Sequence, residues 1–233
     1  MEKVICALWN RADGDTLRAS LLGDLLPGLR GQDWVHTVWV GVVDSAVAPA
    51  AGRRMASRDL PVAVISLWLD EARRLAELEP ALLAVCERYD AYLVTEAEPL
   101  VNARTPGDGN TRGDGFCQVV FLCRPGTMSE QDWLAVWQGS HTQIAIDTQS
   151  TFGYRQNCVV RALTEDAPEV HAIVEENFPE AAMTSDHAFY NAADDATLQK
   201  HQQAMMDSCV RFIDFERIDV IPMSEYLSRP AAP

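Results

Sequence analysis

Hydrophobic and polar positions follow two rhythms along this chain, and the same succession of rhythms occurs twice. Residues 3–9 (KVICALW) form a β-branched apolar run bounded by Asn10, which predicts a buried strand. Leu17, Leu21, Leu22, Leu25 and Leu29 then recur at helical spacing, with Asp13 or Asp15 placed to cap the start. Pro27, followed by Gly28 and Gly31, predicts an end or a bend in that helix. Strands are expected at 34–43 and 61–69, separated by a Pro/Ala/Gly/Arg stretch from Ala46 to Leu60 that reads as a long surface loop. A helix over 71–89 places Leu75, Leu78, Leu82 and Val85 on one side, with Pro80 marking a kink or break, and 91–101 is the fourth strand. The order β-α-β-β-α-β is that of a ferredoxin-like unit.

A Gly/Pro/Asn/Asp segment, 102–115, reads as a linker, and the order then repeats. The second half is expected to contain a strand at 116–123, a turn at Arg124-Pro125-Gly126 and a helix to about Asp147. Thr127 with Glu130, or Ser129 with Asp132, has the spacing of a capping box at its start. Strands at 152–162 and 169–177 follow, then a helical region interrupted near Asp194–Asp195, then a closing strand at 210–221. Residues 223–233 read as a short turn and a loose tail. The expected organisation is α+β: a ferredoxin-like repeat at 1–101, the linker, and a second ferredoxin-like repeat at 116–222. Each repeat alone would bury only the helix-covered face of its sheet. Two such sheets meeting face to face bury the other, so tandem βαββαβ repeats closing on each other as an intrachain barrel are predicted.

Composition narrows the function. Net charge is −15, from 34 acidic and 19 basic residues, so the surface repels phosphate backbones and nucleic acid is not an expected partner. Six cysteines, without a C-x-x-C pair, read as reduced core thiols. The apolar run in MEKVICALWN is too short for a signal core or a membrane span, so a soluble cytoplasmic protein without a membrane partner is the expectation.

The second half resembles the EthD family, named for ethyl tert-butyl ether degradation, of the dimeric α/β-barrel superfamily. The residues that carry the resemblance are Arg124-Pro125-Gly126 after the strand, Trp133, Trp137-x-x-x-His141, Glu175 with Phe178, Phe189, and Phe212-Ile213-Asp214 near the end. The resemblance implies the intrachain dimeric α/β-barrel and an association with oxidoreductase pathways. It also implies superfamily relatives among polyketide cyclases, decarboxylases, quinol-type monooxygenases and haem enzymes. The first half matches in element order alone: the position of His141 falls near Leu25, and that of Asp214 on Val94.

Candidate chemistry therefore concentrates in the second half. Trp133, Trp137 and His141, spaced i, i+4, i+8, share one helix face that packs on the sheet. A histidine at the edge of the core serves as acid or base, and aromatic walls suit a flat organic ligand. The competing reading is a core histidine satisfied by a backbone carbonyl. Asp214, taken to share a strand face with Phe212, is the candidate partner that orients His141, with its carboxyl pKa expected to rise. Arg124, Tyr154 and Tyr190 are candidate substrate contacts beside Trp133 and Trp137. His171 and Glu175 are too few to make a metal site, so neither metal nor cofactor is expected. The resulting expectation is an enzyme, an oxidoreductase or a lyase/cyclase, acting without a cofactor on a small hydrophobic, aromatic or polyketide-like molecule. The alternative is a non-catalytic binding or accessory protein of an oxidative degradation pathway. Self-association into a homodimer stays open.

Overall fold

The computed structural model of the protein describes residues 1–229. Nine strands are present among the described residues: β1 (Glu2–Trp9), β2 (Val35–Val42), β3 (Ala63–Leu69), β4 (Arg88–Leu100), β5 (Asp108–Arg112), β6 (Phe116–Leu122), β7 (Gly153–Ala162), β8 (Ala172–Phe178) and β9 (Asp219–Ser228). The helices are α1 (14–30), α2 (Leu75–Leu83), α3 (130–148), α4 (Asp186–Phe189) and α5 (Asp195–Cys209). The strands pair antiparallel in the order β2-β3-β1-β4-β7-β8-β6-β9, and β9 returns to β2 to close the ring. Each half has the ferredoxin-like strand order, and the halves join through β4–β7 and β2–β9. Closure leaves the eight barrel strands without a free edge along these seams, which is the physical reason two such sheets meet in one chain.

Alternation along each strand decides which side a residue serves. On β6, Cys117, Val119 and Phe121 point into the barrel with Ile5, Tyr92 and Ile173. Val120 and Leu122 point outward, under Trp133 and Trp137 of α3. In the first half the corresponding outer layer is filled: Leu17, Leu21, Leu25 and Leu29 of α1 and Leu78 and Leu82 of α2 close over Val4, Cys6 and Leu8.

Four expectations change. The closing strand is Asp219–Ser228, not 210–221, and Val210–Ile218 is a turn following α5. Residues 223–228, expected in a loose tail, are therefore buried in β9, and 230–233 lie outside the described residues. Pro222 is tolerated inside β9 for a specific reason. The Val220 N–H goes to Met55, so the N–H of residue 222 would point the same way, into the gap before pairing with β2 begins at Ser224. The expected linker carries β5, which adds to the end of β9, and the expected surface loop contains a 3-10 turn, Ser45–Arg53, with Val47 and Ala50 buried. Of the two outcomes expected at Pro27, the end is not seen: α1 continues to Arg30 after a π-helical turn at Leu21–Leu25, and the structure leaves the bend untested.

Candidate active site

The candidate site is built on α3. Ser129 caps it, accepting from the Asp132 N–H at 3.1 Å, and Glu130 and Asp132 lie where the helix dipole favours acids. The helix widens into a π-helical turn at Trp137–His141, closed by the Thr142 N–H on the Trp137 carbonyl. Such insertions are frequent at functional positions. The first half has its counterpart at Leu21–Leu25, so His141 and Leu25 end equivalent turns.

All three residues of the expected face are buried, but they do different things. Trp133 donates through Nε1 to the Phe212 carbonyl at 2.9 Å and packs tilted against Trp137, ring centroids 5.0 Å apart, so it supports the site from behind. Trp137 points Nε1 at the Tyr154 hydroxyl, 3.4 Å away. The His141 ring lies 4.6 Å from that of Phe212, and its Nδ1 is 2.9 Å from Ser208 Oγ on α5. The histidine is thus held by a side chain and not by a backbone carbonyl, and Nε2 is the nitrogen left for a ligand. Burial, with Arg211 adding to it, lowers the His141 pKa to about 4, so the imidazole is neutral at physiological pH.

Beside His141 is a cavity of about 320 Å³ between the outer face of β6, β7 and β8 and the helices of the second half. Trp137, His141, Tyr154 and Tyr190 line it, as do Phe189 and Phe212. Gly52, Arg53 and Met55 from the first half close one side. Arg53 is fixed there by Asp186 at 2.6 Å, by the Ala182 carbonyl at 3.1 Å and by the Phe189 ring. The Tyr190 carbonyl accepts from His201 Nδ1 at 2.7 Å, which holds the end of α4 against α5.

Besides Trp133, which stands behind the lining and does not reach the cavity, two sequence candidates lie elsewhere. Asp214 sits in the turn after α5, bound to Arg217 at 2.8 Å and to the Glu216 N–H at 3.1 Å. Its pKa is lowered, first by the Arg217 hydrogen bond, where a rise was expected. The apolar pattern of 210–221 reads as one strand, whereas the chain completes the helix exit through 210–218 and enters β9 only at Asp219. Asp214 does not line the cavity, so Asp214→Ala is expected to leave turnover of a cavity substrate within about twofold, measured against the wild type. Arg124 also stays outside it. Its N–H donates to His171 Nδ1 at 3.2 Å, its guanidinium binds the Met128 carbonyl and its own carbonyl takes Arg217, so it shapes the turn into α3.

The structure adds groups that the sequence reading passed over. Glu176 on β8 and Gln118 on β6 line the cavity, 3.5 Å apart, and so does Gln149, which follows α3. The signal for Glu176 was the Glu175-Glu176 pair inside an otherwise apolar strand: alternation sends one carboxylate into the barrel and the other under the helices. His171 and Glu175 do not meet, since Glu175 is bound in the barrel interior by Lys3 at 3.1 Å and Arg155 at 2.6 Å. Among the described residues no cluster of three or more His, Cys, Asp or Glu is arranged to hold a metal, and no helix is long and apolar enough to cross a membrane.

No protein-family model and no curated protein matches the sequence. Among solved structures, an anthrone oxidase-like protein is similar over 99% of this chain and 94% of its own, at 10% identity and a TM-score of 0.62. A protein from Lactobacillus acidophilus, provisionally named a monooxygenase, is similar over 98% of this chain and 95% of its own, at 7% identity and a TM-score of 0.51. A second provisionally named monooxygenase, from Fusobacterium nucleatum, covers 100% of this chain and 95% of its own, at 5% identity and a TM-score of 0.52. Together with the closed ring of two ferredoxin-like sheets, these likenesses identify the fold as a dimeric α/β-barrel contained in one polypeptide.

Proposed function

We propose that this protein is an enzyme that oxidises a small aromatic or polyketide-like metabolite in the cavity of its second half, with His141 acting at the substrate oxygen on which charge develops as the substrate loses its proton. The observation that carries this reading is the placement of His141. A neutral imidazole, its Nδ1 tied to Ser208, faces an aromatic-walled cavity of about 320 Å³. That volume lies in the range of small-molecule sites, roughly 300–1,000 Å³. The barrel likeness to an anthrone oxidase-like protein and the EthD-type motif of the second half both favour an oxidative reaction over cyclisation or decarboxylation. An arene that surrenders an activated proton becomes an electron-rich enolate that reacts with dioxygen directly, so the reading calls for no other cofactor. For anthrone the balance is one dioxygen consumed, anthraquinone formed and one water released. The first half serves as scaffold and, through Gly52, Arg53 and Met55, as one wall of the site.

Anthrone and related flat arenes are the first probes. Binding is expected to raise the melting temperature, and aerobic incubation to yield anthraquinone with matching oxygen uptake. Binding without turnover would favour the accessory role. Neither binding nor turnover across the series would overturn the reading.

A further inference from the structure

Among the described residues, Glu176 in the cavity meets no counter-ion. It lies on β8 between two neighbours that face it in register, Tyr154 on β7 and Gln118 on β6. The residue is 7% exposed, and its hydrogen-bonding contact is the 3.5 Å approach of Gln118 Nε2. Glu175, one residue earlier on the opposite face, shows the contrast: it is met by Lys3, Arg155, Asn157 and Ser66. Burial raises the Glu176 pKa to about 7, with Gln118 opposing the rise, so acid and carboxylate coexist near neutral pH.

The groups around it make the site selective. Tyr154 from β7 and Cys209 from α5 are both pushed up by burial and remain neutral. Arg53, which also lines the cavity, is engaged by Asp186 and the Ala182 carbonyl. His141 on α3 resists protonation because it is buried and near Arg211, so the histidine side of the cavity disfavours cations. Gln149 is 6% exposed, lines the same cavity and carries a buried Oε1 with no hydrogen-bond partner among the described residues, an acceptor open to a ligand's donor.

We propose that Glu176 is the proton acceptor of this cavity, and that the ligand is a neutral, weakly acidic hydroxylated arene or aryl ketone lying along Trp137, Phe189 and Phe212. The proposal rests on the reading of the cavity as a small-molecule site. The acidic C–H or O–H bond of the ligand breaks, its electron pair stays on the ligand as an enolate or phenolate, and the proton passes to a Glu176 oxygen. His141 Nε2–H, in the tautomer where Ser208 donates to Nδ1, hydrogen-bonds the developing oxyanion. Gln149 Oε1 accepts from a second hydroxyl of the ligand. The proton then leaves to water or returns, and no co-reactant is consumed in this step.

Hydrogen–deuterium exchange at the activated carbon of anthrone, followed by NMR in deuterated buffer without oxygen, isolates that step. Wild type and Asp214→Ala are expected to accelerate exchange equally, with a rate that rises through about pH 7 as Glu176 ionises. Glu176→Gln, which keeps the side-chain volume, is expected to reduce the acceleration by about 100-fold or more while still shifting its melting temperature with anthrone. Infrared detection of the protonated carboxyl, titrating near neutral pH in the wild type and missing in Glu176→Gln, reads the group without any substrate. Exchange retained in Glu176→Gln but lost in His141→Ala would overturn the proposal and leave the function standing. A wild type that neither binds nor exchanges anthrone would count against both.

Discussion

Replacing His141 by alanine is expected to slow turnover of a cavity substrate by about 10²- to 10⁴-fold, the range over which a positioned acid–base group acts. The effect belongs to the reaction and not to folding. The ring is held by one hydrogen bond with Ser208 and by contact with Phe212, while the surrounding core of Trp133, Trp137 and Tyr154 has its own contacts. His141→Gln, which keeps a donor in the cavity, is expected to recover part of the rate. The pH dependence separates His141 from Glu176. With its folded pKa lowered to about 4 from 6.5, His141 stays neutral down to about pH 4, so an activity limb near pH 7 belongs to Glu176. Between 6.5 and about 4 the unfolded chain binds the His141 proton and the folded chain does not, so this residue's contribution to stability falls as pH falls through that window. His141→Ala is expected to flatten the stability curve there, measured by urea titration at several pH values. Turnover unchanged by His141→Ala would remove the histidine from the mechanism.

The element order of both halves and the closure of two sheets on each other were legible because strand and helix periodicities differ and because each sheet had one face unaccounted for. The asymmetry of the site was legible too. Leu25 and His141 end equivalent π-helical turns, and leucines fill the space in the first half that the second half leaves open. The last strand was misplaced because alternation continues through 210–218, a helix exit, while Pro222 looks like a stop. That proline is harmless because of where the neighbouring strands begin, which is a tertiary fact. Asp214 followed the misplaced strand into the candidate site. Arg53, on the stretch read as surface loop, reaches the cavity only because the barrel brings residues 129 and 133 positions away beside it. Nothing in the sequence distinguishes Glu176 from Glu175, the neighbour that belongs to the family-like pattern. Their separate environments exist only once Lys3 and Arg155 are brought to one face of β8.

Glu175→Gln is expected to produce a large loss of stability with little change at the cavity. The carboxylate lies in the barrel interior, 2% exposed, and accepts from Lys3 at 3.1 Å, Arg155 at 2.6 Å, Asn157 at 3.2 Å and Ser66 at 3.3 Å. It thereby ties β1, β3, β7 and β8 across both halves of the barrel. Removing its charge leaves Lys3, itself 4% exposed, and Arg155 to share Glu96 and Glu98 at the rim. Breaking a buried pair in this way typically costs about 3–5 kcal/mol, because the surviving charges stay desolvated. In a domain of this size that corresponds to a fall in melting temperature of roughly 6–20 °C. Burial pushes the Glu175 pKa upward, but Lys3 and Arg155 outweigh it and hold the group at about 2, below its ordinary 4.5. Its contribution is therefore complete above about pH 4.5 and is lost as pH falls toward 2, so the wild type is expected to lose stability steeply in that window and Glu175→Gln to lose less. Urea midpoints at pH 7 and pH 3 test both statements, and equal midpoints at pH 7 would show that the interior network does not hold the barrel closed. Anthrone binding by Glu175→Gln should match the wild type at temperatures where both are folded, because the neighbouring carboxylate that faces the cavity is on the other side of the strand.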